Sequence, residues 1–172
     1  MLSEAQSLTA ALLSGRKVED EDLADAAVAL SATVGDADFY ERILTVSQRA
    51  DDPGLQTEAL ETLAYFRDPA LEKRTLEYAV SGQVRNQDAW VLLGIELSRP
   101  ETGQLAWDWM RGHWDQVKAQ LTTASGGNLV GATGSFCSVE KRQEVQSFFA
   151  AHPVAASAVS YTHLTLPTIY SV

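Results

Sequence analysis

Three histidines, one cysteine, a run of four acids and two glycine pairs are the first residues to weigh for chemistry. His113, His152 and His163 are of a type that ligates zinc or shuttles protons. None stands in H-E-x-x-H, and no two are at helical spacing, so no zinc site is legible. His113, beside Trp114, reads as a partly exposed helix residue. His152, before Pro153, reads as a helix C-terminal residue favoured by the dipole. Cys137 lies near an expected helix start, where a thiolate gains stabilisation. No histidine stands near it in sequence to act as its base, and it reads as a small buried hydrophobe. Glu19-Asp20-Glu21-Asp22 has the charge to hold a metal, but carboxylates are favoured at a helix start in any case. Gly126-Gly127 and Gly131-x-x-Gly134 follow no strand, which argues against a phosphate cradle.

One polar run stands out. Val84-Arg85-Asn86-Gln87-Asp88 places four polar side chains in a row between two expected helices. Its structural reading is a capping turn, with Asn86 or Asp88 bonding backbone N–H groups and Arg85 paired to an acid. Its functional reading is a polar surface that meets a ligand, and spacing alone does not choose between the two.

The elements that position these residues read as helices. The length of 172 residues fits one domain able to bury a core. Hydrophobic residues at 45% and charged residues at 21% exclude a disordered chain. Thirteen basic against 23 acidic residues give a net charge of −10, which disfavours nucleic acid and anionic membrane as partners. No apolar run is long enough to span a bilayer, and the start Met1-Leu2-Ser3-Glu4 lacks a basic leader region. A single cysteine fits a reducing compartment, and a cytoplasmic location is expected.

Along residues 1–152 a cap, an amphipathic stretch and a breaker recur. Ser3 and Gln6 have capping-box spacing before Leu8, Leu12 and Leu13. Asp20 precedes Leu23, Ala26, Ala27, Leu30 and Val34, whose three- and four-residue steps predict a core-facing stripe ended at Gly35. Asp36 opens a helix with Phe39, Tyr40, Ile43 and Leu44 on one side. Asp52-Pro53 and Asp68-Pro69 each place a capping carboxylate before a proline at the first helical position, and Gly82 ends the second helix. Trp90, Leu93 and Leu97 follow on the next, closed by Pro100. The apolar spacing from Thr102 to Leu121 predicts one long helix holding three of the four tryptophans in the core. Ser125-Gly126-Gly127 reads as a break, residues 129–136 as a short helix, and Ser138 as the cap of a last helix carrying Val145, Phe148 and Phe149. The expected fold is all-α, an α-solenoid of antiparallel helix hairpins of HEAT or armadillo type, truncated.

Residues 153–172 contain no Asp, Glu, Lys or Arg, and they read as an unstructured tail. From Val159 to Thr168 the tail closely resembles the conceptual translation of a sequencing adapter, so residues 159–172 are taken as non-native.

Several segments carry a resemblance when taken in order. They are Phe66-Arg67-Asp68-Pro69-Ala70-Leu71, Val84-Arg85-Asn86-Gln87-Asp88, Leu105-Ala106-Trp107-Asp108-Trp109, His113-Trp114, Ser135-Phe136-Cys137-Ser138 and Phe148-Phe149-Ala150-Ala151-His152-Pro153. The series closely resembles the C-terminal helical domain of the aminopeptidase N and puromycin-sensitive aminopeptidase family, the endoplasmic-reticulum-aminopeptidase-like C-terminal domain. It is strongest over residues 55–153. The resemblance implies a parent that is a zinc metallopeptidase removing N-terminal residues from peptides. It implies that the H-E-x-x-H zinc site and the G-x-M-E-N amine site lie in other, upstream domains. This chain would then be a non-catalytic fragment without its own cofactor, inactive alone. Its partners would be the catalytic and N-terminal domains and the peptide substrate, whose chamber it covers and shapes. Truncation would leave Val145, Phe148 and Phe149 without the helices that cover them. Arg85 and Gln87 match the family's R-x-Q-D signature and are the candidates for cavity-facing polar residues. The other function open at this stage is a free-standing α-solenoid that binds protein partners.

Overall fold

A computed structural model describes residues 2–13 and 21–154. Among them are ten α-helices and no strand, so the chain is all-α. The chain divides into two compact units, residues 1–78 and 79–172.

The first unit holds α1 (Leu2–Leu13), α2 (Glu21–Thr33), α3 (Ala37–Arg49), α4 (Pro53–Thr62) and α5 (Pro69–Ala79), whose last residue opens the second unit. Its starts are chemical. Asp36 accepts from the Phe39 N–H at 2.9 Å, and Asp52 accepts from Gly54 and Leu55 at 2.7 and 3.1 Å. Asp68 accepts from Ala70 at 2.8 Å. Pro53 and Pro69 open their helices because an N–H is not needed there. The core gathers on Phe66, fully buried, whose ring meets Tyr40 edge-on at 5.1 Å and Phe39 at 5.7 Å. The Tyr40 and Thr75 hydroxyls share a buried hydrogen bond of 3.1 Å, and Thr75 Oγ1 lies 3.2 Å from the Leu63 carbonyl. Gly35 sits where a Cβ would come within 2.7 Å of both Phe39 and Phe66 ring carbons, so its role is room rather than a left-handed turn. Gly82, after α5, does stand at φ 81°.

Two expectations change in this unit. α1 begins at Leu2, so Ser3 lies inside the helix instead of capping it; Asp20 lies outside the described residues. Of the stripe expected to face the core along α2 and the turn after it, Ala27 packs, but Leu23 is 53% exposed, Leu30 46% and Val34 58%. The face that packs is Ala24, Ala27, Val28, Ser31 and Ala32. Both stripes have helical spacing, and periodicity does not say which one finds a partner. Small residues won because α1 and α2 approach closely, with Thr9 and Ser31 hydroxyls bonded at 3.1 Å in the seam.

The second unit holds α6 (Asn86–Ser98), α7 (Gly103–Gly112), α8 (Trp114–Gln120), α9 (Thr123–Ala132), a 3₁₀ turn at Thr133–Ser135 and α10 (Val139–Ala151). The long helix expected from Thr102 is broken at His113 into α7 and α8. His113 leaves helical backbone (φ −121°, ψ 27°), and its ring, stacked on Trp109 at 4.2 Å, shares the Trp109 carbonyl at 2.8 Å with its own backbone N–H at 3.1 Å. The expected break at Ser125-Gly126-Gly127 lies within α9. Thr122 and Ser125 form a reciprocal capping box that starts the helix ahead of the glycines. Cys137, read as buried, is exposed in the link before α10, its Sγ 3.3 Å from the Ser135 carbonyl.

Trp107 is fully buried among Phe136, Phe148 and Phe149 at 5.3–6.1 Å. Trp114 meets Phe148 and Phe149 at 5.2 and 5.6 Å. Val145 and Phe149 are therefore buried, at 2% and 1% exposure, contrary to the expectation that truncation uncovers them; Phe148 is half-buried. Trp107, Trp109 and Trp114 are core residues as expected, but divided between α7 and α8. The tail assigned to residues 159–172 lies outside the described residues.

Candidate functional site

Val84, 5% exposed, anchors the turn between α5 and α6. Arg85 then takes extended backbone (φ −62°, ψ 141°) and serves as the N-cap of α6, its carbonyl accepting from Asp88 at 2.8 Å and Ala89 at 2.9 Å. No side chain caps the helix at this position. Asp88, expected as a cap, is instead held by Arg85, whose Nε donates to Asp88 Oδ2 at 2.6 Å. The pairing of Arg85 with an acid is the part of the turn reading that holds. Burial explains the choice: the Asp88 side chain is only 15% exposed, so its charge needs a partner, and Arg85 at 66% exposure lends one nitrogen to it. The terminal amino groups of the Arg85 fork meet no acid among the described residues. Gln87 is exposed one residue further into α6. Together they offer donors on the first turn of a helix, where the macrodipole is positive. Such an arrangement suits a carbonyl or carboxylate oxygen.

A second polar cluster has no counterpart in the sequence reading. Glu144 of α10 accepts from Trp107 Nε1 at 3.0 Å and pairs with Lys141 at 2.7 Å and Arg111 at 2.6 Å. Arg111 also pairs with Asp108 at 2.8 Å, and Gln104 donates to the other Asp108 oxygen at 2.6 Å. The Lys141 hydrogen bond holds the Glu144 carboxyl below its ordinary value against partial burial, helped by Trp107 and Arg111. Burial pulls Asp108 upward, but the Gln104 and Arg111 hydrogen bonds outweigh it and leave it lowered. Lys141–Glu144, Asp108–Arg111 and Gln104–Asp108 are local pairs at helical spacing, whereas Trp107 lies 37 residues from Glu144 and no local spacing signals that link. The cluster ties α7 to α10.

The histidines are committed to helix ends. His113 Nδ1 lies 2.8 Å from the Trp109 carbonyl, and His152 Nδ1 lies 2.9 Å from the Phe148 carbonyl. A carbonyl only accepts, so both Nδ1 atoms carry hydrogen. His152 stacks on Phe148 at 4.3 Å, repeating the Trp109–His113 arrangement. His163 lies outside the described residues. Among those described, no three His, Cys, Asp or Glu side chains come together as a metal site. No helix among the described residues is long and apolar enough to cross a membrane.

Comparison with known proteins agrees with the resemblance drawn from the ordered motifs. Residues 1–164 match the family described as the ERAP1-like C-terminal domain. The chain is 32% identical over 122 residues to the alanine/arginine aminopeptidase of Saccharomyces cerevisiae, covering 69% of this chain and 14% of that protein. It is 33% identical over 129 residues to aminopeptidase M1 of Arabidopsis thaliana, covering 72% of this chain and again 14% of the relative. Aminopeptidase 2, mitochondrial, of Saccharomyces cerevisiae is 30% identical over 122 residues, 13% of its length. The chain thus spans about one-seventh of the curated relatives it matches. With helices throughout the described residues and a family match over most of its length, the chain belongs to the ERAP1-like C-terminal domain family.

Proposed function

We propose that this chain is the non-catalytic C-terminal helical domain of a zinc aminopeptidase, where it covers the active site and shapes the chamber that admits peptides. The observation that carries the reading is the family match across residues 1–164, with relatives that are themselves named aminopeptidases. In this reading, zinc and the peptide-cleaving residues belong to catalytic and N-terminal domains outside this chain. Those domains and the peptide are its partners, and the protein is cytoplasmic. Arg85 and Gln87 supply donors on the chamber wall. The Arg85 fork, held at Nε by Asp88, presents its remaining N–H groups to a peptide carbonyl or carboxylate, and Gln87 adds an amide.

The test is a titration of the chain with a fluorescent decapeptide, followed by anisotropy. Weak, salt-sensitive binding is expected, reduced several-fold by Arg85→Ala with Gln87→Ala. The peptide should remain intact, because no metal-bound water is activated here. Binding that ignores both substitutions removes these residues from the chamber wall, and chelator-sensitive cleavage of the peptide removes the non-catalytic role.

A further inference from the structure

A pocket of about 260 Å³ lies in the first unit, where α1, α2 and the start of α3 meet. Its lining includes two buried hydroxyls, Thr9 at 2% and Ser31 at 5% exposure. They share one hydrogen bond of 3.1 Å, which uses one of their two hydrogens and leaves the other for an acceptor. Val34 and Phe39 supply apolar wall. Two opposite charges line the same space. Asp36 gives Oδ1 to the Phe39 N–H at 2.9 Å, so Oδ2 is left to accept from another donor. The Arg42 guanidinium lies 5.2 Å from the centre of the Phe39 ring. Among the described residues, no ion pair joins Arg42 to Asp36 or to any other acid.

Charge and size select the ligand. A lone anion drawn to Arg42 is repelled by Asp36, and a lone cation drawn to Asp36 is repelled by Arg42. A molecule with both signs satisfies both groups. The volume falls just below the about 300–1,000 Å³ of sites for drug-sized ligands, so the molecule is compact. We propose that this pocket binds a free α-amino acid with an apolar side chain. The carboxylate meets the Arg42 guanidinium and takes the spare hydroxyl hydrogen of the Thr9–Ser31 pair. The ammonium group donates to Asp36 Oδ2, and the side chain lies against Val34 and Phe39. A peptide carries its two charged termini at opposite ends, whereas a free amino acid carries both on one carbon.

Equilibrium dialysis of the full chain against radiolabelled L-leucine tests this, with N-acetyl-L-leucine and L-leucinamide as competitors. Leucine should bind one-to-one with a Kd on the order of 1 mM. N-acetylleucine lacks the ammonium charge and leucinamide lacks the carboxylate, so each should compete at least about tenfold more weakly than unlabelled leucine. Asp36→Asn removes a charge but keeps a side chain able to cap α3. Arg42→Gln changes an exposed helix residue for another good helix former. Each should weaken leucine binding by about tenfold or more, with circular dichroism unchanged. Lys73→Gln, at an exposed charge on α5 outside the pocket, should leave binding as it was. Absence of leucine binding at about 10 mM overturns the proposal, as does binding that survives both substitutions. Equal competition by N-acetylleucine overturns it in favour of a peptide C-terminus, and equal competition by leucinamide in favour of a peptide N-terminus. If a substituted chain loses its helical signal, the competitor series on the unsubstituted chain decides.

Discussion

Two glycines in α7 call for opposite outcomes from the same substitution. A Cβ on Gly103 would lie 2.7 Å from the Leu97 carbonyl oxygen and 3.2 Å from a Phe136 ring carbon. The first of these is backbone, held in the corner where Thr102 Oγ1 donates to the Glu96 carbonyl at 2.7 Å and Ser135 Oγ to the Leu97 carbonyl at 3.0 Å. Gly103→Ala should therefore cost about 1–3 kcal/mol. A Cβ on Gly112 meets nothing within 4 Å. Gly112→Ala should gain up to about 1 kcal/mol by restricting the unfolded chain and favouring helix. Urea denaturation of both variants checks the pair, and the same sign for both would contradict the packing described. The sequence could mark Gly112 as a weak point in a helical pattern. It could not mark Gly103, whose need arises from a backbone approach between residues that only the folded corner brings together. The Arg85 turn was more legible, because four adjacent polar side chains between apolar stretches are a local signal. Which acid Arg85 would choose was open until burial of Asp88 decided it.

Between elements, the ties of α7 to α10 are an aromatic cluster and the Glu144 hub. Glu144 and Asp108 both titrate below their ordinary values of 4.5 and 3.8. A carboxyl depressed in the folded state contributes stability that is complete above its unfolded value and is lost as pH falls through the folded one. The melting temperature should therefore fall on acidification below about pH 4.5. Glu144→Gln should cost about 1 kcal/mol at pH 7, because the Lys141 and Arg111 pairs lose their charge while the Trp107 N–H keeps an acceptor. The difference between the variant and the parent chain should shrink as pH falls through the lowered folded-state pKa of Glu144, because protonation then leaves both with a neutral side chain at this position. Thermal melts of the two proteins from pH 7 to pH 3 read this directly. A difference that stays constant with pH would show that the carboxylate charge contributes nothing. Helix existence was most legible where a start has a local chemical cause, as at Asp36, Asp52 and Ser138. Two features were not. The face of α2 that packs depends on α1, and the break at His113 falls inside an unbroken apolar period, where spacing gives no sign of it.

At the scale of the whole molecule, composition and helical period were sufficient to reach an all-α protein, and six ordered segments were sufficient to reach the family. Function is harder to read from this stretch, because its chemistry is mostly that of packing. The Nδ1 atoms of His113 and His152 are spent on helix ends, Cys137 sits in an exposed link, and the Glu144 carboxylate is a structural hub. The chain matches only about one-seventh of each relative's length, which makes the neighbouring coding sequence the most direct place to look. The decisive measurement is to sequence the source DNA upstream of the Met1 codon and translate it in the same frame. An uninterrupted frame carrying H-E-x-x-H several hundred codons earlier, with a further Glu downstream of it, is the predicted result. An in-frame stop codon shortly before Met1, behind a promoter of its own, would contradict it.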